Sequence, residues 1–450
     1  IDLTVGSGHR IVEGRRGPGI AVNGSVPGPL IRLREGQNVR LNVTNNLNAD
    51  TSIHWHGLLV PFQMDGVPGI SFPGIRPRQT FTYEFPIRQS GTYWYHSHSG
   101  LQEQSGHYGP LIIDPAESEP VEYERDYILL LSDFTVLDPH FIMSRLRTGE
   151  GYFNRQLSSW TDNYPMSGEE RRMWAEMRMP ATDIMDIGAP TYTFLANGRG
   201  PKEGLEYLFR QGERIRLRVI NGSAQSFFNV RIPGLPMTVI AADGQNVRPV
   251  EVDEFQIGTA ETYDVIIKPT AEAYTIIAES MDRSGMALAT LASRPGARAT
   301  IPPPRKPPLL DMGDMGMDHG DGPSHSMDGM KMRDTLLLPP DVAVGPGIDM
   351  VAMAPVDKLG DPGIGLRDVD HRVLNYRMLA ALEPNRDTRT PSRLLELHLT
   401  GNMERYMWSF DGEMYSAVHD RPIRFAWNER VRVKLVNNTM MAHPIHLHGM

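Results

Sequence analysis

The sequence predicts an all-β protein made of three antiparallel β-sandwich domains, the third incomplete. One ten-residue pattern recurs three times, as GQNVRLNVTN (36–45), GERIRLRVIN (212–221) and NERVRVKLVN (428–437). A turn dipeptide precedes each copy, at Asn23-Gly24, Asn197-Gly198 and Asp411-Gly412. The 36 prolines and 43 glycines favour many turns over long helices.

Within each copy apolar residues alternate with polar ones: Val39, Leu41, Val43; Ile215, Leu217, Val219; Val431, Val433, Leu435. Period two with β-branched enrichment reads as a half-buried strand. The copies are spaced far wider than a solenoid repeat, so each marks one domain of ordinary size. The expected division is domain one at 1–118, domain two at 119–300, a linker at 301–334 and domain three at 335–450. Residues 135–187, with RRMWAEMRMP inside, have helical propensity and read as an insertion in domain two. The linker is Pro-rich and then Met/Asp/Gly/His-rich, a composition that cannot bury a core.

Composition removes some function classes. A net charge of -9 leaves no basic stripe to neutralise phosphates, which argues against nucleic acid. No apolar run reaches 18 residues, so no membrane span is expected. Cysteine is absent, which removes disulfides and thiolate ligands and leaves the redox compartment unspecified. Numbering begins at Ile1 rather than Met, compatible with a removed leader, although no targeting segment is visible.

Nine residues beyond the terminal Asn of each copy stand His54, Val230 and His446. The first and third open the same element, His54-Trp55-His56-Gly57 and His446-Leu447-His448-Gly449; the middle domain lacks it. A further pair, His96-Ser97-His98, lies in a strand-like run. On a strand, residues two apart face the same way, roughly 6 to 7 Å apart. That spacing suits service to two neighbouring ions better than chelation of one. A single such pair is commonly surface, but three, two of them in register, point to a multinuclear metal site between domains one and three. His443 has Thr51 as its repeat equivalent and so belongs to a site of domain three alone.

HWHG, HSH and HPIHLHG, in that order, resemble three of the four copper signatures of the multicopper oxidases. MDGVPGISFPGI and QSGTYWYHSHSGLQEQSGHYGPLIIDP, with the Met-rich linker, resemble the CopA-type copper-resistance members. The resemblance implies cupredoxin-like Greek-key sandwiches. It makes His54 and His446 type 2 copper ligands, His56, His96, His98 and His448 ligands of the type 3 pair, and His443 a type 1 ligand. Asp65 matches a carboxylate that handles protons during oxygen reduction; a turn residue before Gly66 is the plainer alternative. The fourth signature, with the type 1 Cys and the remaining type 3 ligands, is expected downstream of His448, so the chain is read as part of a longer protein.

Met312, Met315, Met317, Met327, Met330 and Met332, with His319 and His325, read as a loose copper collector, or alternatively as a disordered spacer. Met281 and Met286 are a further cluster or simply core filler. The function expected is oxidation of Cu(I) to Cu(II), with phenols as a second class of reductant, coupled to reduction of O2 to water at type 1, type 2 and type 3 copper in the periplasm. A protein that sequesters copper through Met and His without turnover is the alternative; a structural array with decayed sites is the third reading.

Overall fold

The computed structural model describes residues 1–156, 166–176, 180–189, 191–311, 313–314, 338, 342, 345–348, 350–352, 355–417 and 420–449. The first sandwich comprises β1 (Asp2–Val12), β2 (Arg15–Val22), β3 (Ile31–Arg34), β4 (Asn38–Asn45), β5 (His54–His56), β6 (Thr80–Pro86), β7 (Gly91–His96) and β8 (Tyr108–Asp114). Its sheets run β2-β1-β4-β6 and β3-β8-β7-β5, closing on a core that includes Leu41, Val43, Trp55, Tyr83, Tyr95 and Leu111.

The second sandwich follows with β9 (Arg125–Phe134), helices α1 (Pro139–Leu146) and α2 (Gly168–Glu176), then β10 (Thr193–Ala196), β11 (Glu206–Leu208), β12 (Ile215–Asn221), β13 (Phe228–Arg231), β14 (Met237–Ala242), β15 (Gln245–Val252), β16 (Glu254–Ile257), β17 (Thr262–Ile267), β18 (Ala273–Ser280) and β19 (Met286–Ala292). Its sheets run β10-β9-β12-β17-β14-β15 and β11-β19-β18-β13-β16. Both helices fall inside the expected insertion. A third sheet, β21-β20-β22, holds β20 (Arg393–Asn402), β21 (Met407–Phe410) and β22 (Val431–Asn437).

The three repeat copies become β4, β12 and β22, and each performs the same task. Each pairs in parallel with the first strand of its unit: β1 with β4, β9 with β12, β20 with β22. The sheets are therefore mixed rather than purely antiparallel. A parallel partner needs a crossover, and the intervening chain supplies one. The turn dipeptides are equivalent too. Both residues of each take positive φ, at Asn23-Gly24, Asn197-Gly198 and Asp411-Gly412, as a type I′ hairpin turn requires. The Asn or Asp side chain then accepts from a first-strand amide, Thr4 N, Leu130 N or His398 N.

The Asn that ends each copy starts the following loop. Asn45, Asn221 and Asn437 each accept from the amide two residues on, at Leu47, Ser223 and Thr439. Such an Asx turn fixes the chain direction on leaving the strand. It is the local reason a constant offset of nine residues carries meaning.

Burial departs from the half-buried pattern in two copies. β12 is buried on both faces, because its polar side carries Arg216 and Arg218 into the seam with the first sandwich. Arg216 pairs with Asp264 at 2.6 Å and Glu119 at 2.7 Å. Arg218 pairs with Asp126 at 2.7 Å and donates to Thr92 Oγ1, on β7, at 2.8 Å. In β22 the apolar residues Val433 and Leu435 are exposed, as is Leu394 on β20.

Candidate metal centre

Antiparallel pairing of β5 with β7 sets His54 opposite His96, Trp55 opposite Tyr95 and His56 opposite Trp94. Alternation then sorts the side chains. Trp55 and Tyr95 enter the core, while the imidazoles and Trp94 share the other face. Trp94 stacks on His96 with ring centres 4.1 Å apart. His98 lies just past β7, where its amide donates to Ser52 Oγ at 3.0 Å.

The segment following β22 brings in His446 and His448. His446 stacks on His56 at 3.8 Å, and His448 lies over His54 at 4.2 Å. Two triads result, His54-His56-His96 and His54-His98-His448, each with one ligand atom per residue and all three atoms within 4.8 Å of one another. His54 is common to both, so the triads adjoin, and its one free nitrogen can serve either of them. Six of the seven predicted histidines therefore converge. The carried-over pair His54 and His446 stands at 5.9 Å, farther apart than either stacked pair.

Backbone and carboxylate oxygens fix which ring nitrogens face inward. Nδ1 of His54 lies 2.7 Å from the carbonyl of Asp65. A carbonyl can only accept, so Nδ1 carries the proton. Nε2 of His54 is left buried with no hydrogen-bond partner among the described residues, a costly condition for a polar atom unless it binds something. Nδ1 of His448 donates to Asp65 Oδ2 at 2.8 Å. Nδ1 of His56 and Nε2 of His96 face each other at 3.3 Å.

Asp65 ends the short 3-10 turn Phe62–Met64 and is 1 % exposed. Burial opposes its ionisation, but hydrogen bonds from His448 and His54 hold its carboxyl well below the usual carboxylate range. It is more than a turn residue. Gly66 makes this placement possible: its φ is +82°, and a Cβ there would lie 1.9 Å from the Ile53 carbonyl oxygen.

The cluster disfavours protons. Burial first, then the neighbouring imidazoles, push His56 and His96 well below the ordinary histidine value. The same causes bring His98 to about 2 and His446 to about 4. Neutral imidazoles with inward lone pairs suit copper among other transition metals, and the orphaned nitrogen of His54 fits a bound ion.

Two nearby residues escaped the sequence reading. Glu103 reaches Nδ1 of His96 at 2.9 Å, and burial pushes its carboxyl up to about 8. His107 is fully buried, with Nδ1 3.3 Å from Thr51 Oγ1. The only signal for either was a lone acid and a lone histidine inside LQEQSGHYG, which begins three positions after His98.

His443 stands apart from the six. It packs edge-on against Trp408 at 4.5 Å, and its Nε2 lies 2.8 Å from Thr439 Oγ1. Burial lowers it to about 4. It borders a cavity of about 160 Å3 whose lining includes Met185, Asp186, Met281, Tyr406, Trp408 and Met441. Around this cavity Met185 and Met281 join Met350, Met403 and Met440 in one buried cluster. Met286 lies on β19 and is partly buried. Met312, Met315, Met317, His319, His325, Met327, Met330 and Met332 lie outside the described residues.

Residues 4–118, 156–295 and 388–450 match three sequence families, each described as multicopper oxidase. The chain is 48% identical over 485 aligned positions to the copper resistance protein A homolog of Pseudomonas syringae pv. tomato, covering 100% of this chain and 82% of that protein. It is 46% identical to copper resistance protein A of Escherichia coli, with the same coverage. Identity to the multicopper oxidase MmcO of Mycobacterium tuberculosis is 31%, over 94% of this chain and 70% of that one. Among solved structures, the laccase from Botrytis aclada is similar in fold, with a TM-score of 0.56 at 23% identity over 91% of this chain and 62% of that one. For Fet3p the values are 0.58 and 19%, over 89% and 60%. Among the described residues no helix is long and apolar enough to cross a membrane.

Proposed function

The chain belongs to the multicopper oxidase family, and on that premise we propose that it is a copper oxidase of copper resistance, taking electrons from Cu(I) and passing them to O2. In the balanced reaction each Cu(I) loses one electron, and O2 takes up four electrons and four protons to give two waters. Bound copper supplies the one-electron steps that side chains cannot perform. The observation that carries the reading is the convergence of imidazoles from the first sandwich and from the segment after β22, with Nε2 of His54 buried and lacking a hydrogen-bond partner among the described residues.

In this reading His54 and His446 hold the type 2 copper, and His56, His96, His98 and His448 belong to the type 3 pair. His443 serves type 1 copper. Burial and the neighbouring imidazoles disfavour protons on His56, His96, His98 and His446. Asp65 fixes the tautomers of His54 and His448, and its carboxylate stands ready to accept or relay protons beside the cluster. Cu(I), a soft ion, docks in the thioether-lined cavity beside His443, where Met185, Met281 and Met441 offer sulfur and Asp186 a charge. His443 lies three residues before His446, so the electron-receiving end and the cluster share one segment. The linker methionines gather copper for that cavity, phenols are a second class of reductant, and the periplasm is the proposed location.

Oxygen uptake on adding Cu(I), measured together with bound copper, tests the proposal. Four tightly bound coppers and oxygen consumption support it. Copper bound without oxygen uptake would favour sequestration. Removing residues 311–332 should lower Cu(I) turnover or bound copper and spare the fold; both values unchanged would end the role given to the linker.

A further inference from the structure

We propose that Glu103 is a positioning residue for the copper cluster, accepting the Nδ1 proton of His96 so that Nε2 alone of that ring faces metal. The inference rests on the copper reading above and adds a residue to it.

Two groups surround Nδ1 of His96: the Glu103 carboxyl, which keeps an accepting oxygen whether neutral or ionised, at 2.9 Å, and the Ser97 carbonyl at 3.3 Å. The carbonyl can only accept, so the proton sits on Nδ1. The opposite nitrogen, Nε2, points at His56 inside the cluster. Trp94 fixes the plane of the ring by stacking, and Glu103 fixes its rotation and tautomer. An acceptor behind a metal-bound imidazole also raises its basicity. His54 and His448 have the same arrangement, each with an Asp65 oxygen at Nδ1. Glu103 does for His96 what Asp65 does for those two.

Its own position is built rather than incidental. Gln102 accepts from Thr51 Oγ1 at 2.7 Å and Ser97 Oγ at 3.0 Å, both in the first sandwich. Gln104 donates to Asp133 Oδ1 at 3.0 Å and accepts from the Tyr192 hydroxyl at 2.7 Å, both in the second. Glu103 thus sits on a strap pinned to both sandwiches, which sets where the acceptor stands relative to His96.

Glu103→Ala, Glu103→Asp and Glu103→Gln, made in the whole protein, separate positioning from mere tethering. Ala removes the acceptor, Asp withdraws it by one methylene, and Gln keeps an amide oxygen in place. Copper(II) affinity by equilibrium dialysis should fall about 10- to 100-fold for Ala, fall for Asp, and change less than about threefold for Gln. In the copper-free protein, nitrogen chemical shifts of His96 should report Nδ1–H in the wild type and Gln variant and a tautomer mixture in Ala. Wild-type affinity and wild-type shifts in both Ala and Asp would overturn the proposal, and Asp decides if Ala fails to fold. A wild-type cluster that takes up no copper would refute the copper reading instead.

Discussion

Mild acid should destabilise the copper-free protein through His107, a residue that no proposed metal role requires. The ring is fully buried, its Nε2 has no hydrogen-bond partner among the described residues, and burial, helped by nearby His96, lowers it to about 3. In the unfolded chain the same group titrates near 6.5. The folded form therefore refuses a proton that the unfolded form accepts. Stability from this group is complete above about pH 6.5 and is lost progressively as pH falls toward about 3. At pH 5 the loss is about 2 kcal/mol, from roughly 1.4 kcal/mol per pH unit below the unfolded value. Denaturant unfolding at pH 7 and pH 5, followed by the fluorescence of buried Trp55 and Trp94, measures it. The wild type should lose about 2 kcal/mol more than His107→Gln between those pH values. Equal losses in the two proteins would refute the reasoning.

Asp65→Ala removes the charged acceptor 2.8 Å from His448; at about 1.5–3 kcal/mol for such a bond, copper affinity should fall about 10- to 150-fold, read by dialysis. Gly66→Ala, which would press a Cβ into the Ile53 carbonyl, should lower the melting temperature and lose copper together; a normal melting curve would contradict the close approach. Arg218→Met removes the partner 2.7 Å from Asp126, but Arg32 still pairs with Asp126 and Arg216 with Asp264, so chemical unfolding should show a loss below the about 3–5 kcal/mol of an uncompensated buried charge. Met185→Leu with Met281→Leu keeps volume and should spare the melting temperature while raising the KM for Cu(I); an unchanged KM would remove the cavity from the substrate path.

His54, His56, His446 and His448 were legible because a repeat carried them, and His96 and His98 because they alternate on one strand-like run. One Asx turn leaves β4, β12 and β22 at the same point, so counting along the sequence stood in for three-dimensional superposition. The placement of Asp65 was half legible: MDG marks a turn, but only the close approach of Gly66 to the Ile53 carbonyl shows why the residue lies under His54. Glu103 and His107 were not legible, since nothing local distinguishes an acid that meets an imidazole from one that meets water. The buried polar face of β12 was hidden for a similar reason. Arg216 and Arg218 read as solvent-facing until the first sandwich supplies Thr92 opposite them. The methionine-lined cavity joins residues from the insertion, β18's end and the segment after β22, a conjunction that composition alone could not place.

Gly91 and Gly244 meet backbone to backbone, so closely that a Cβ on Gly91 would lie 2.3 Å from the Gly244 carbonyl oxygen. Such a joint leaves no side chain between the two backbones, and the Arg218 bond to Thr92 ties the same seam. The last segment, by contrast, reaches the first sandwich chiefly through imidazoles, the Asp65–His448 bond and one amide, Val60 N to Gly449 O at 3.2 Å. Copper at the centre would then hold residues 443–449 against the first sandwich. Protease should cut the stretch around 443–449 slowly in the charged protein and readily in the stripped one.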